Sequence, residues 1–329
     1  MRIRSERRGI AVTPAAGRAR AVVFAYHDVG VRCLRTLLAR GVEVPLVFTH
    51  GDSPDENIWF DSVARHARWH GIPVLTPDNP NLPELVERVR ALRPQFLFSF
   101  YYRSMLAAEL LSVPTRGAYN MHGSLLPKYR GRAPVNWAVL NGEHETGATL
   151  HAMVAKPDAG DLVDREAVPI LPDDTAIEVF RKVTVAAEVT LHRCLPGLIA
   201  GSARHTPQDL AAGSYYGRRS PRDSAIDWRR GMLAAHNLIR AVAPPYPAAY
   251  SEAEGLPLCI QRSLPAQRDW HAQAPLLRWR DGNVYALCHD GALKLLQFEL
   301  GGDIGSAEDF HRRYGERSLA LRPVMEAGG

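Results

Sequence analysis

Four short apolar runs in the first hundred residues, separated by helix-like stretches, leave this chain few folds to adopt. Residues 21–26 (AVVFAY), 44–49, 73–75 and 95–100 (QFLFSF) have strand character, and the last is apolar enough for burial on both faces. Between them, helical periodicity passes through Leu34, Leu37 and Leu38 to a stop at Gly41, then covers 61–70 to Gly71 and 84–92 to Pro94. Strands alternating with helices at this spacing make a parallel sheet wound by right-handed crossovers. The first half is expected to be an α/β domain, a Rossmann-like mostly parallel sheet flanked by helices.

The pattern continues with a strand at 118–121, a helix at 134–140 and strands at 149–154 and 163–170 that bracket a Pro-Asp-Ala-Gly-Asp loop. A long helix is expected over 175–199, N-capped near Asp173 or Asp174, kinked or frayed at Pro196 and stopped by Gly201. Residues 203–224 turn polar and read as a linker. Beyond it come a helix at 232–242 and strands at 249–251, 258–261, 276–279, 284–289 and 292–299. Asp281-Gly282 and Asp290-Gly291 are strong hairpin signals. The expected organisation is a basic disordered tail (1–20), a catalytic domain (21–202), the linker, a small antiparallel β-barrel of OB-like type (225–315) and a tail (316–329).

Composition matters here through where the charge sits. Of the net +5, residues 1–20 hold six Arg against one Glu, which leaves 34 basic and 34 acidic residues elsewhere. A neutral body is poorly equipped for a polyanion, so no nucleic-acid partner is expected. No apolar run approaches the roughly 20 residues of a membrane span, and no signal peptide is read at the start, so no membrane insertion is expected. Cys33, Cys194, Cys259 and Cys288 are scattered, which suggests reduced thiols, a cytoplasmic location and no metal site. After the first strand the chain reads His27-Asp28-Val29-Gly30, without the G-x-G-x-x-G that a dinucleotide would need.

Chemistry concentrates where the 118–121 strand ends. Asn120 and His122 lie two apart on extended backbone, so their side chains leave the same face, at the sheet edge where open α/β folds bind ligands. An amide donor beside a group that titrates near neutrality can serve acyl transfer, stabilising an oxyanion and moving a proton. Asp158, in the Pro-Asp-Ala-Gly-Asp loop, is the leading candidate to orient the imidazole. A strand-end histidine also commonly serves as a plain structural hydrogen-bonding residue.

The segment that follows is more specific. Asn120-x-His122, Ser-Leu-Leu-Pro at 124–127, Arg130-Gly131 and Asp158 stand in the order that marks the folate-dependent formyltransferase family, and the chain resembles that family. Within it, VVFAYHD (22–28), FTH (48–50), SVAR (62–65), FSFYYR (98–103), HGSLLPKYRGRAP (122–134) and Gly217-Arg218-Arg219 are similar to the branch that N-formylates UDP-4-amino-4-deoxy-L-arabinose in bacterial lipid A modification and polymyxin resistance. The similarity covers most of 21–250, and the decarboxylase module fused to the best-known relatives is not expected within these 329 residues.

The resemblance implies that 10-formyltetrahydrofolate is the co-substrate and a nucleotide sugar the acceptor. It implies His122 as acid/base, with Asn120 and Asp158 stabilising the transition state. Folate contacts would come from Ser104, Met105, Leu106, Arg132, Val154, Ala155, Lys156, Pro157 and Asp158. At 104–106 the chain departs from its relatives, which carry His-Leu-Ile there. Lys128, Arg130 and Arg132 are placed to meet a diphosphate. Within the family the rival acceptor is initiator methionyl-tRNA, against which Asp52, Asp55 and Glu56 stand where a basic track would begin. The purine-synthesis and folate-hydrolysis branches diverge around the Asn-x-His loop. From another class, a non-catalytic nucleotide-sugar-binding module would need an inert triad.

Overall fold

Strands buried on both faces must lie inside a sheet, and the chain puts its apolar runs there. The structure, a computed structural model, describes residues 18–53, 57–266 and 269–322. Arg20–Ala25 (β1), Glu43–Phe48 (β2), Val74–Leu75 (β3), Phe96–Phe100 (β4) and Ala118–His122 (β5) run parallel in the order β3-β2-β1-β4-β5. The helices between them are His27–Ala39 (α1), Val63–Trp69 (α2), Pro83–Ala91 (α3) and Ala108–Leu111 (α4). Ala21, Val23 and Ala25 enter one apolar cluster and Val22 and Phe24 the other, so β1 reads as an unbroken apolar run. After β5 come a two-residue strand, Arg130–Gly131 (β6), and Pro134–Leu140 (α5). Glu145–Ala152 (β7), antiparallel to β5, and Leu162–Pro169 (β8), antiparallel to β7, then extend the sheet to seven strands.

Several expectations shift. Of the expected basic tail, residues 1–17 lie outside the described residues, and Arg20 already opens β1, where its guanidinium pairs with Glu43 at 2.8 Å. Ala176–Ala200 (α6) is capped by Thr175 and not by Asp173 or Asp174. The backbone N–H of Thr175 donates to Glu178 at 2.7 Å, closing a capping box, whereas Asp174 accepts from Leu171 N–H and pairs with Lys182. The helix runs through Pro196 to Gly201, whose φ of 76° ends it. By length and composition α6 could cross a membrane, but Val179, Val183, Ala187 and Leu191 are buried and the helix packs on α1, β7 and β8.

The segment read as a linker is structured. Within it Tyr215–Tyr216 (β9) pairs in parallel with β6. Met232–Ala241 (α7) follows, then the barrel strands Ala249–Ala253 (β10), Leu256–Pro265 (β11), Leu276–Arg280 (β12), Asn283–Cys288 (β13), Gly291–Leu300 (β14), the helix Ala307–Tyr314 (α8) and Leu319–Arg322 (β15). The strands close in the order β10-β11-β14-β13-β12-β15. Asp281 and Gly282 both take positive φ, 48° and 73°, as the β12–β13 turn requires. The strand β15, inside the 316–329 segment expected to be a tail, pairs with β10 and β12 and closes the barrel. Its four residues are too few for alternation to stand out in the sequence.

At the carboxyl end of β1, His27 stacks on Phe60 at 3.9 Å and meets Trp59 edge-on at 4.5 Å. Burial, helped by the Arg103 charge, pushes its pKa down to about 3. The folded state therefore holds His27 neutral while the unfolded chain protonates it near pH 6.5, so stability is lost as pH falls from there toward 3. Between pH 7 and pH 5 this one group should remove about 2 kcal/mol. Denaturant titrations at both pH values should show a smaller drop in His27→Asn, since asparagine tolerates the left-handed backbone at this position, where φ is 69°. An unchanged drop would contradict the assignment.

Candidate active site

The site forms where β5 ends beside β7. Register places Asn120 opposite His151 and His122 opposite Thr149. The Asn120 amide Nδ2 lies 3.2 Å from His151 Nε2. The loop beyond β5 is tied down from β7: the Thr149 hydroxyl donates to Ser124 O at 2.6 Å and accepts from Leu126 N–H at 3.2 Å. The Ser124 hydroxyl donates to Lys128 O at 2.6 Å. This folding back carries the Tyr129 carbonyl to 2.8 Å from His122 Nε2.

Asp158 then enters from the loop between β7 and β8, at a left-handed φ of 51°. Its Oδ2 accepts from Gly131 N–H at 2.9 Å. Its Oδ1 faces His122 Nδ1 at 3.6 Å, His151 Nε2 at 3.5 Å and Asn120 Nδ2 at 3.5 Å. Gly131 has no room for a side chain, because an added Cβ would stand 2.2 Å from Tyr216 O, and its φ is 98°. Burial alone would raise the Asp158 carboxyl. The charge of His122, then the hydrogen bond and charge of His151 and the Gly131 N–H, more than offset it and hold the group well below the usual carboxylate range. The sign follows: this contribution to stability is present above the ordinary aspartate value near pH 4 and is lost as pH falls below it.

Tautomers follow from the partners. Tyr129 O and the Asp158 carboxylate can both only accept, and Tyr129 O is the nearer, 2.8 Å against 3.6 Å, so neutral His122 carries its proton on Nε2, leaving Nδ1 as the free base facing Asp158. Neutral His151 donates from Nδ1 to Ala152 O at 2.8 Å and offers Nε2 to the Asn120 amide, whereas the protonated ring turns an Nε2–H to Asp158. Asn120, His122 and Asp158 thus come together as the sequence suggested, with His151 as a fourth member that it did not suggest. The one signal was a histidine inside the expected 149–154 strand, ordinarily read as packing.

The flanking assignments fare unevenly. Arg130 is 8% exposed and donates through Nη2 to Leu210 O at 3.2 Å, so it serves the loop's framework and not a mobile diphosphate contact. Lys128 is exposed, 3.6 Å from Glu143, and Arg132 reaches Arg103 O at 3.4 Å. Arg219 lies over the Trp137 ring at 4.9 Å and donates to Asp223 O. In the cofactor set, Leu106 is buried with Val86 and Leu110, so only its backbone can reach a ligand. Met105 and Val154 are 55% and 46% exposed, and their sequence neighbours Leu106 and Met153 share one apolar cluster. Exposed apolar side chains of this kind suit a flat heteroaromatic ligand. Ala155 and Lys156 are exposed, and Ser104 and Pro157 are half-buried. Asp55 and Glu56 lie outside the described residues; Asp52 accepts from the Tyr26 hydroxyl at 3.1 Å. Among the described residues, no group of three or more His, Cys, Asp or Glu could hold a metal ion.

The chain has counterparts among known proteins. The model of the formyl transferase domain matches residues 41–195, and that of the formyl transferase C-terminal domain matches 219–315. The chain belongs to the formyl transferase family. Solved structures share its fold. An N-formyltransferase from Helicobacter canadensis, in complex with folinic acid and dTDP-3-aminofucose, is 20% identical, has a TM-score of 0.68, and covers 86% of this chain and 100% of its own. WlaRD, a sugar 3N-formyl transferase solved with dTDP and 5-N-formyl-THF, is 20% identical at a TM-score of 0.67, over 85% and 98%. A 4-N formyltransferase from Francisella tularensis is 19% identical at 0.58, over 70% and 91%.

For a formyl transferase built this way, His122→Ala and Asp158→Ala should each lower turnover at least about a hundredfold with folding intact. Asn120→Ala should lower it roughly 10²–10³-fold, as for loss of an oxyanion donor. Steady-state rates on well-folded variants decide, and near-wild-type turnover in His122→Ala would refute the roles assigned.

Proposed function

We propose that this formyl transferase moves the formyl group of 10-formyltetrahydrofolate onto the amine of UDP-4-amino-4-deoxy-L-arabinose, a step in lipid A modification and polymyxin resistance. The observation that carries the proposal is the convergence of Asn120 and His122 on the charged Asp158 carboxylate at the open end of the sheet. The exposed Met105 and Val154 offer the folate apolar surface to cover.

His122 Nδ1 takes the proton that the attacking amine must shed. The Asp158 carboxylate stabilises the imidazolium so formed, and His122 passes the proton on to the leaving nitrogen. Asn120 Nδ2, whose contact to Asp158 is its longer one at 3.5 Å, turns an N–H toward the formyl oxygen as negative charge builds there. His151 steadies that amide from behind. Tyr129 O keeps the imidazole's other nitrogen occupied, so proton traffic is confined to the Asp158 side.

The sequence resemblance over 21–250 supports the arabinose acceptor, and a body of balanced charge speaks against a tRNA. A second reading is another amino sugar nucleotide, favoured because the Helicobacter canadensis neighbour was solved with dTDP-3-aminofucose. The purified protein with 10-formyltetrahydrofolate should formylate UDP-4-amino-4-deoxy-L-arabinose faster than dTDP-linked amino sugars, and should leave methionyl-tRNA unmodified. Efficient tRNA formylation with inert sugar nucleotides would overturn the proposal, and a preference for a dTDP sugar would establish the second reading.

A further inference from the structure

The segment 206–216, polar enough to read as a linker, is fastened to both loops that frame the active site. Thr206 exchanges backbone hydrogen bonds with Leu162 at 2.8 and 2.9 Å. Ser214 receives Tyr129 N–H on its hydroxyl at 2.9 Å and Arg130 N–H on its carbonyl at 3.0 Å. Arg132 N–H donates to Tyr216 O at 2.9 Å, and the Tyr216 ring stacks between Tyr129 and Trp137 at 5.2 and 4.8 Å. Gly213 packs so closely that an added Cβ would stand 2.1 Å from Pro127 O. One side chain of this strap reaches the catalytic carboxylate's own backbone: Gln208 Nε2 donates to Asp158 O at 3.1 Å and to Gly160 O at 2.6 Å.

We propose that Gln208 is a positioning residue for formyl transfer: its amide clamps the 158–160 turn and thereby holds the Asp158 carboxylate in register with His122. Two carbonyl partners fix the amide's orientation, since its oxygen could bond neither of them. A left-handed aspartate is also disfavoured by about 1–3 kcal/mol and persists only where its surroundings hold it. The titratable groups facing Asp158 are His122 from β5 and His151 from β7; the 128–132 loop offers it the Gly131 N–H, and the strap the neutral Gln208. Loosening the clamp should therefore weaken the support that the carboxylate gives to protonated His122.

This inference rests on the roles proposed for Asn120, His122 and Asp158, and its test separates the two. In Gln208→Met, which keeps the stem and removes the donor, kcat should fall about tenfold with the KM for 10-formyltetrahydrofolate within about twofold. The acid limb of its kcat/KM profile should move to lower pH, as His122 becomes harder to protonate. Gln208→Asn, an amide too short to bridge both carbonyls, should shift the same way by less, and it carries the test if the methionine variant does not fold. A lowered Tm with kcat and pH profile unchanged would mean that Gln208 is structural only, which overturns the inference. Turnover surviving in His122→Ala overturns the proposed triad and this inference with it. An inactive His122→Ala beside an unaltered Gln208→Met overturns this inference alone.

Discussion

Keeping a carboxylate charged where little water reaches it requires partners on several sides, and Asp158 draws them from four parts of the chain. The strand β5 brings His122 and Asn120, β7 brings His151, the loop after β5 brings the Gly131 N–H, and the strap brings Gln208 to its backbone. A buried carboxylate stripped of these would neutralise by taking up a proton, and the imidazole beside it would lose its counter-charge. Much of the local architecture can be understood as what keeps this one charge in place.

The change of direction in the sheet makes the arrangement possible. Five parallel strands deliver Asn120 and His122 to the ligand-binding edge, as the winding rules require. A sixth parallel strand would need a long crossover, whereas the antiparallel β7 runs back from that edge and places His151 directly opposite Asn120. The turn from β7 to β8 then returns Asp158 to the same edge. The barrel domain meets this body through α7: the Asn136 amide donates to Ala241 O at 2.8 Å, and buried His236 lies between Ser263 at 3.0 Å and Pro172 O at 3.2 Å.

What could be read in the sequence was set by local signals. The apolar strands, the glycine and proline stops and the Asp281-Gly282 turn depend on a few neighbouring residues and were legible. So was the Asn120–His122 pair, because extended backbone fixes which face two residues share. Features decided by distant partners were not. His151 matters because strand pairing sets it against Asn120, 31 residues away. Arg130 resembled a phosphate contact until the strap covered it, and Gln208 sits in polar sequence with no periodicity to mark it. Thr175 displaced two aspartates as a cap because only it has a glutamate three residues on. The strand β15 exists because the barrel needs closing.

The claim on which the rest turns is that Tyr129 O fixes the His122 tautomer and leaves Nδ1, beside Asp158, to carry the transferred proton. Long-range ¹⁵N–¹H NMR on uniformly labelled protein, with the His122 signals assigned by their loss in His122→Ala, reads that tautomer directly. The account predicts that neutral His122 is protonated on Nε2 with a bare Nδ1. A neutral His122 bearing its proton on Nδ1 would contradict it.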